Sequence, residues 1–387
     1  MHAQDRMIQM KITINITYFL LIAILILLTF SYFLVFIPSS AFAMTILLID
    51  AGILLSGFLI LKNNNNINIP LFFLCCWIFI VLYFFHDDMS NLTINMYKAF
   101  SGFVAYTITS TIALQCKTSK FKNIVYITMI VWSILFILFV PEQRTEYLNW
   151  GYSNYCYMFL LLFPLVFLSN HKTFQIILSI LVVFAVISSL KRTGVIVLCV
   201  YAVYFVLMML KRNKWKVKNI ILMSIIFILL MLLFVYTDIF QNTYDEYFYR
   251  FEESDGGSLN GRVDIWRNGL ETWKNDGLIR MLFGGKSYVY TIKGEVLSFH
   301  NDYLETLCNF GIIGAIFLVA FIVNMFQIRS LILAQHRKNI LRAWDLSIIN
   351  ILTLGIVSHV IYYPQLMFLQ MLVMGYCHGT IKRSIQE

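Results

Sequence analysis

Long apolar runs separated by short polar turns repeat along the chain, and only one polar stretch is much longer than a turn. The runs fall at approximately 14–36, 41–61, 70–86, 97–115, 122–140, 154–169, 172–190, 193–210, 218–237, 303–328, 346–362 and 364–380. The sixth and the last are short. A helix needs roughly 17–25 such residues to cross the hydrocarbon core of a bilayer. In lipid, backbone N–H and C=O groups must be satisfied within the segment, which leaves the helix as the spanning element. The pattern therefore predicts an all-α polytopic membrane protein with about 12 transmembrane helices. It divides into residues 1–237 with spans one to nine, a large outer loop at 238–302, and residues 303–387 with spans ten to twelve. The first run is too long for a signal-peptide core of about 7–15 residues, although Ala41, Phe42 and Ala43 resemble a cleavage site, so it is read as the first span. Lys62 and the asparagines 63–66 form a low-complexity turn, and no internal repeat is visible.

Composition agrees with this pattern. Of the 387 residues, 60% are hydrophobic and 13% charged, against about 45–50% and 25% in ordinary soluble domains. The net charge of +9 is spread over short loops, which makes it a topology signal and argues against a nucleic-acid partner. With the N-terminus inside, eighteen Lys and Arg fall on inside segments. Four (Lys98, Arg144, Lys191 and Arg192) fall on short outside segments, and seven fall in the long loop, where the bias rule weakens. Both termini are thus expected in the cytoplasm and the loop outside. The seven cysteines lie in or beside apolar runs with no metal-ligand spacing, which reads as helix packing. No metal and no cofactor is expected.

Three places depart from this background. Lys191 and Arg192 sit in a tight outside turn between two apolar runs, against the usual bias. They are either cations snorkelling to headgroups or an anion site at the membrane surface. The long loop begins with an aromatic cluster (Tyr244, Tyr247, Phe248, Tyr249 and Phe251), read as an interfacial belt, and passes through a Gly-rich acidic turn at 252–261. From Arg262 the spacing turns helical, with Val263, Trp266, Leu270 and Trp273 on one stripe and Ser258 or Asn260 as the cap. Arg267 and Glu271 pair at i,i+4. Arg262, in the first turn, is either in a surface ion pair or beside unpaired helix N–H groups that could hold a phosphate. Gly284-Gly285-Lys286-Ser287 looks like the end of a phosphate loop, but Arg280 stands where that motif needs glycine, so these glycines are read as a turn. At the third place, the loop runs into an apolar helix through His300, Asn301, Asp302 and Glu305. Asn301 can cap that helix, with both acids in its first turn, and Gly311 and Gly314 allow close packing. His300 is either a capping residue or a base at the mouth of a membrane cavity.

Two arginines, a histidine and an asparagine on one outer face fit chemistry on a diphosphate and a hydroxyl. The stretches Gly261-Arg262 to Trp266, Leu282 to Gly285, and His300-Asn301-Asp302-Tyr303-Leu304-Glu305 followed by Gly311 and Gly314 resemble the O-antigen polymerase and ligase family of bacterial envelopes. Lys191-Arg192-Thr193-Gly194 fits as well. The resemblance implies a GT-C-like, metal-independent membrane glycosyltransferase in the inner membrane with a periplasmic active site. Its donor is a glycan on undecaprenyl diphosphate, passed to another carrier-linked repeat unit by polymerases or to the lipid A core by ligases. The family's functional positions fall on Arg192, Arg262 and His300 as catalytic residues. Lys191, Asn301, Asp302, Glu305 and Trp266 are expected to bind substrate. Partners would be the lipid-linked donor and acceptor, membrane lipid and, as an open question, a chain-length regulator. Lys191 and Asp302 look more like polymerases. The competing class is a lipid-linked sugar flippase or other transporter; against it stand the missing repeat and spans that carry almost no ionisable residues. A passive scaffold is a third class. If His300 is the base, activity should fall below about pH 6–7, where an ordinary imidazole becomes protonated.

Overall fold

The computed structural model describes residues 15–28, 38–62, 68–85, 92–115, 119–139, 155–188, 192–210, 262–285, 290–292, 295–297 and 299–387. The expected span 218–237, the aromatic cluster at 244–251, the cap at Ser258 or Asn260 and the turn at 63–66 lie outside them. The described chain is helical: α1 (Asn15–Leu28), α2 (Pro38–Lys62), α3 (Ile69–Phe84), α4 (Leu92–Gln115), α5 (Ser119–Phe139), α6 (Tyr155–Leu162), α7 (Lys172–Ser188), α8 (Arg192–Leu210), α9 (Arg262–Asn275), α10 (Leu278–Phe283), α11 (Asp302–Ala334), α12 (Lys338–Val357) and α13 (Pro364–Gln386). A small antiparallel hairpin, β1 (Tyr290–Ile292) with β2 (Glu295–Leu297), pairs Tyr290 with Leu297 inside the loop. In sequence, the spacing places helical structure in this loop from Arg262 and names no strand there.

Local chemistry sets several of these boundaries. Asn68 caps α3, its Oδ1 accepting from Leu71 N at 3.1 Å. Pro70 sits in that first turn, where a missing N–H costs nothing. Pro164 does the opposite to the run at 154–169. The α-helix stops at Leu162 and the chain tightens into a 3₁₀ turn, Phe163–Leu168, because proline withdraws a donor. The run expected at 346–362 is also redrawn. Its helix α12 begins earlier, at Lys338, and ends at Val357. Apolarity marks the membrane stretch of a helix, not its charged first turns. At the far end, a buried carboxylate takes the N–H groups of residues 360 and 361 out of helical bonding.

By length and composition, α11 and α12 could each cross a bilayer, and the described residues also hold shorter apolar helices. Large apolar side chains such as Phe19, Leu54, Ile127, Ile176, Leu207 and Ile316 stand exposed. Water disfavours so much exposed apolar surface. The interior seam runs between α4 and α13, where a Cβ on Gly375 would strike Thr109 Oγ1 and Tyr106 O, and one on Gly379 would strike Ser110 O. Small residues allow such close approach between helices in lipid. Phe121 stacks on Tyr376 beside the seam, ring centroids 4.5 Å apart.

Charges stand one residue outside two of the apolar runs, 303–328 and 346–362. Asp345 is buried in α12 and takes Arg329 of α11 in a two-pronged pair, Nε to Oδ1 at 2.6 Å and Nη2 to Oδ2 at 3.2 Å. Tyr204 of α8 donates to Asp345 Oδ2 at 2.9 Å. Nearby, Tyr201 donates to Asn350 Oδ1 at 2.5 Å, and Asn350 Nδ2 donates to Leu160 O at 3.0 Å. This network ties α6, α8, α11 and α12 together through partners that offset the cost of burial.

Candidate functional site

The site is built where the loop meets α11. On α9, Gly269 leaves the room that the Phe299 ring occupies; any Cβ there would strike that ring. Trp266, on the same face, donates from Nε1 to Phe299 O at 2.8 Å. From the other side, Phe299 N donates to Glu305 Oε1 at 3.2 Å. Phe299 is thus fixed at its N–H, its carbonyl and its ring, and packs with Ile265, Trp273 and Cys308 in a small apolar cluster of its own. The next residue has to turn out of this clamp. His300 does so at φ +49°, a left-handed conformation uncommon for a residue with a side chain. Strain of this kind persists only where the surroundings over-determine it, and it concentrates at functional sites. His300 is half-buried.

Asn301 caps α11 as expected, its Oδ1 accepting from Tyr303 N and Leu304 N at 3.0 Å each. Asp302 is fully buried, and its Oδ2 accepts from Val360 N at 2.7 Å and Ile361 N at 3.0 Å in the break between α12 and α13. That break also carries His359, which is buried. Its Nδ1 lies 3.4 Å from Asp302 Oδ1 and 3.2 Å from Glu305 Oε2. The His359 ring lies against His300, centroids 5.0 Å apart. Thr306 and Tyr362 join hydroxyls at 2.6 Å, and Tyr303 reaches the carbonyls of Ile351 and Leu352 at 3.4 and 3.3 Å. Asp302 and Glu305, expected to bind substrate, here grip protein groups.

Below the site, α11 is interrupted at Gly311, whose φ of +70° and ψ of −176° are not helical. A Cβ there would strike Leu282 O and Gly284 N. The interruption leaves carbonyls without helical partners, and each finds another: Gly285 N donates to Asn309 O at 3.0 Å and Trp77 Nε1 to Phe310 O at 2.8 Å. Gly284 and Gly285 themselves have positive φ. The glycines read as a turn and as a packing aid are therefore one interlocked contact. Gly314 does pack on a neighbour, the Trp77 indole.

Of the expected site residues, His300, Asn301, Asp302, Glu305 and Trp266 meet at this end of α11. Arg192 and Arg262 are the first residues of α8 and α9. Their side chains, and all of Lys191, lie outside the described residues, so their gathering around His300 stays an expectation. His359 was missed because it lies 59 residues beyond His300 at the end of an apolar run. The available signal was an ionisable residue within that run, which is a functional hypothesis by default. Asp302, Glu305 and His359 present ligand atoms all within 4.8 Å of one another, a set that could hold a divalent cation.

A helical protein with apolar outer sides and a polar, strained junction at the start of α11 defines the class. Residues 177–319 match the family model described as O-antigen ligase, which supports the O-antigen ligase and polymerase family for this chain and bears out the resemblance. That family is a glycosyltransferase-like enzyme class, membrane-integral in bacteria. The matched stretch includes Lys191, Arg192, Arg262, Trp266 and the junction from His300 to Gly314. No curated protein matches the chain.

Proposed function

We propose that this protein is a polymerase of O-antigen or a related surface polysaccharide. It transfers a glycan from undecaprenyl diphosphate to a sugar hydroxyl of another lipid-linked repeat unit. The observation that carries this reading is His300, half-buried and held left-handed at the mouth of α11 inside the family-matched stretch. His300 removes the proton from the attacking hydroxyl. The new glycosidic bond forms as the bond from the anomeric carbon to the diphosphate oxygen breaks, and the carrier diphosphate leaves as an anion. Arg192 and Arg262 neutralise that anion, and no metal takes part. One such charge pair at 4 Å is worth about 4 kcal/mol at an effective dielectric near 20, and a positioned base adds roughly 10²–10⁴-fold in rate. In this reading about twelve helices cross the inner membrane, both termini are cytoplasmic and residues 238–302 face the periplasm.

A second reading, transfer to the lipid A core, is favoured by the description of the matching model as O-antigen ligase. Glycan analysis of a deletion strain separates the two. Loss of long chains with single units still on lipid A identifies a polymerase; loss of both identifies a ligase. Unchanged glycans remove both. Within either reading, His300→Ala should abolish transfer while the protein still inserts and binds lipid-linked glycan, as measured with purified protein. Retained transfer would take His300 out of the chemistry. Arg192→Lys and Arg262→Lys should each lose most activity, because a point charge does not replace a planar fork on phosphate. Normal long glycans from both variants would return these residues to surface roles.

A further inference from the structure

The two carboxylates behind His300 are arranged alike. Glu305 gives Oε1 to the N–H of Phe299, the residue before His300, and points Oε2 at His359 Nδ1, 3.2 Å away. Asp302 gives Oδ2 to the backbone that follows His359 and lies 3.4 Å from the same Nδ1 through Oδ1. Each therefore fastens one backbone segment and brings its other oxygen within ion-pair distance of the same ring edge. That ring, 3% exposed, packs at 37° against the imidazole of His300, which is more open. A residue needed only to fill the break would not require both carboxylates on one ring edge with the opposing histidine against its face.

We propose that His359 is a positioning residue for the transfer reaction: Asp302 and Glu305 flank its Nδ1 edge, and its ring backs His300 and fixes the angle at which that imidazole meets the acceptor hydroxyl. The proposal rests on the role given to His300 above. Positioning of this kind acts on the chemical step more than on binding, because a small misplacement of a catalytic group costs rate while the substrate is still held. It predicts a fall in kcat with little change in KM.

The test uses purified full-length protein and undecaprenyl-diphosphate-linked repeat units isolated from a strain lacking it, with wild type and His300→Ala in parallel. His359→Asn keeps an N–H donor where Nδ1 stands but removes the ring behind His300. The expected result is a kcat lower by about tenfold or more, a KM for the lipid-linked donor within about twofold, and an unchanged Tm. His359→Gln serves as the second variant should the first fail to insert, with the same result expected. Wild-type kcat in either folded variant overturns the proposal, as does failure of both to reach the membrane, which would make His359 structural. Loss of wild-type transfer in EDTA with restoration by Mn²⁺ or Zn²⁺ also overturns it, reassigning the three side chains to a metal. If His300→Ala retains full transfer, the proposal and the site reading fall together. If His300→Ala is dead and His359→Asn is normal, only the proposal falls.

Discussion

Asp302 divides its oxygens between the backbone of the α12–α13 break and the ring of His359. Replacing it with Ala strands the N–H groups of Val360 and Ile361 in a buried place, at about 1–3 kcal/mol for each group left unsatisfied. Asp302→Ala should therefore lower the Tm of the detergent-purified protein clearly, and Asp302→Asn, which keeps an acceptor oxygen, much less. Equal Tm values for both variants and wild type would show that the clasp contributes nothing. At this scale the sequence was informative where the chemistry was local. The cap at Asn301 follows from its place just before an apolar run, and His300 from its isolation at a loop end. His359 depends on a contact that spans 57 residues of sequence to Asp302, and no spacing rule reaches that far.

Elements were legible by their apolar lengths, and most helices lie where those lengths fall. Their interruptions were not, because a break is decided by partners from elsewhere. Gly311 read as a packing residue; in the fold it is a break, stabilised by Trp77 of α3 and Gly285 beyond α10. Gly277 gives the control. It too has positive φ, but a Cβ there would meet nothing within 4 Å. Gly277→Ala should cost only the backbone penalty of about 1–3 kcal/mol. Gly311→Ala adds a collision with the backbone of Leu282 and Gly284 and should lower both Tm and transfer further. If the two variants unfold at the same temperature, the interlock between α10 and α11 is not a source of stability.

For the whole molecule, charge bias predicts the orientation that places His300 outside the cell membrane. A single cysteine introduced at Ser258, in a background cleared of the native cysteines, should react with a membrane-impermeant thiol reagent added to spheroplasts. Labelling only after the membrane is permeabilised would invert the topology and remove the site from its lipid-linked substrates. One further consequence comes from the seam between α4 and α13, where backbones meet at Gly375 and Gly379. A chain is made from its N-terminus, so α4 is synthesised long before its partner exists. The break that carries His359 is delivered in the same late stretch. The junction of His300, Asp302 and His359 therefore cannot form until α12 and the break after it have been synthesised, and under the function proposed above transfer is withheld until then.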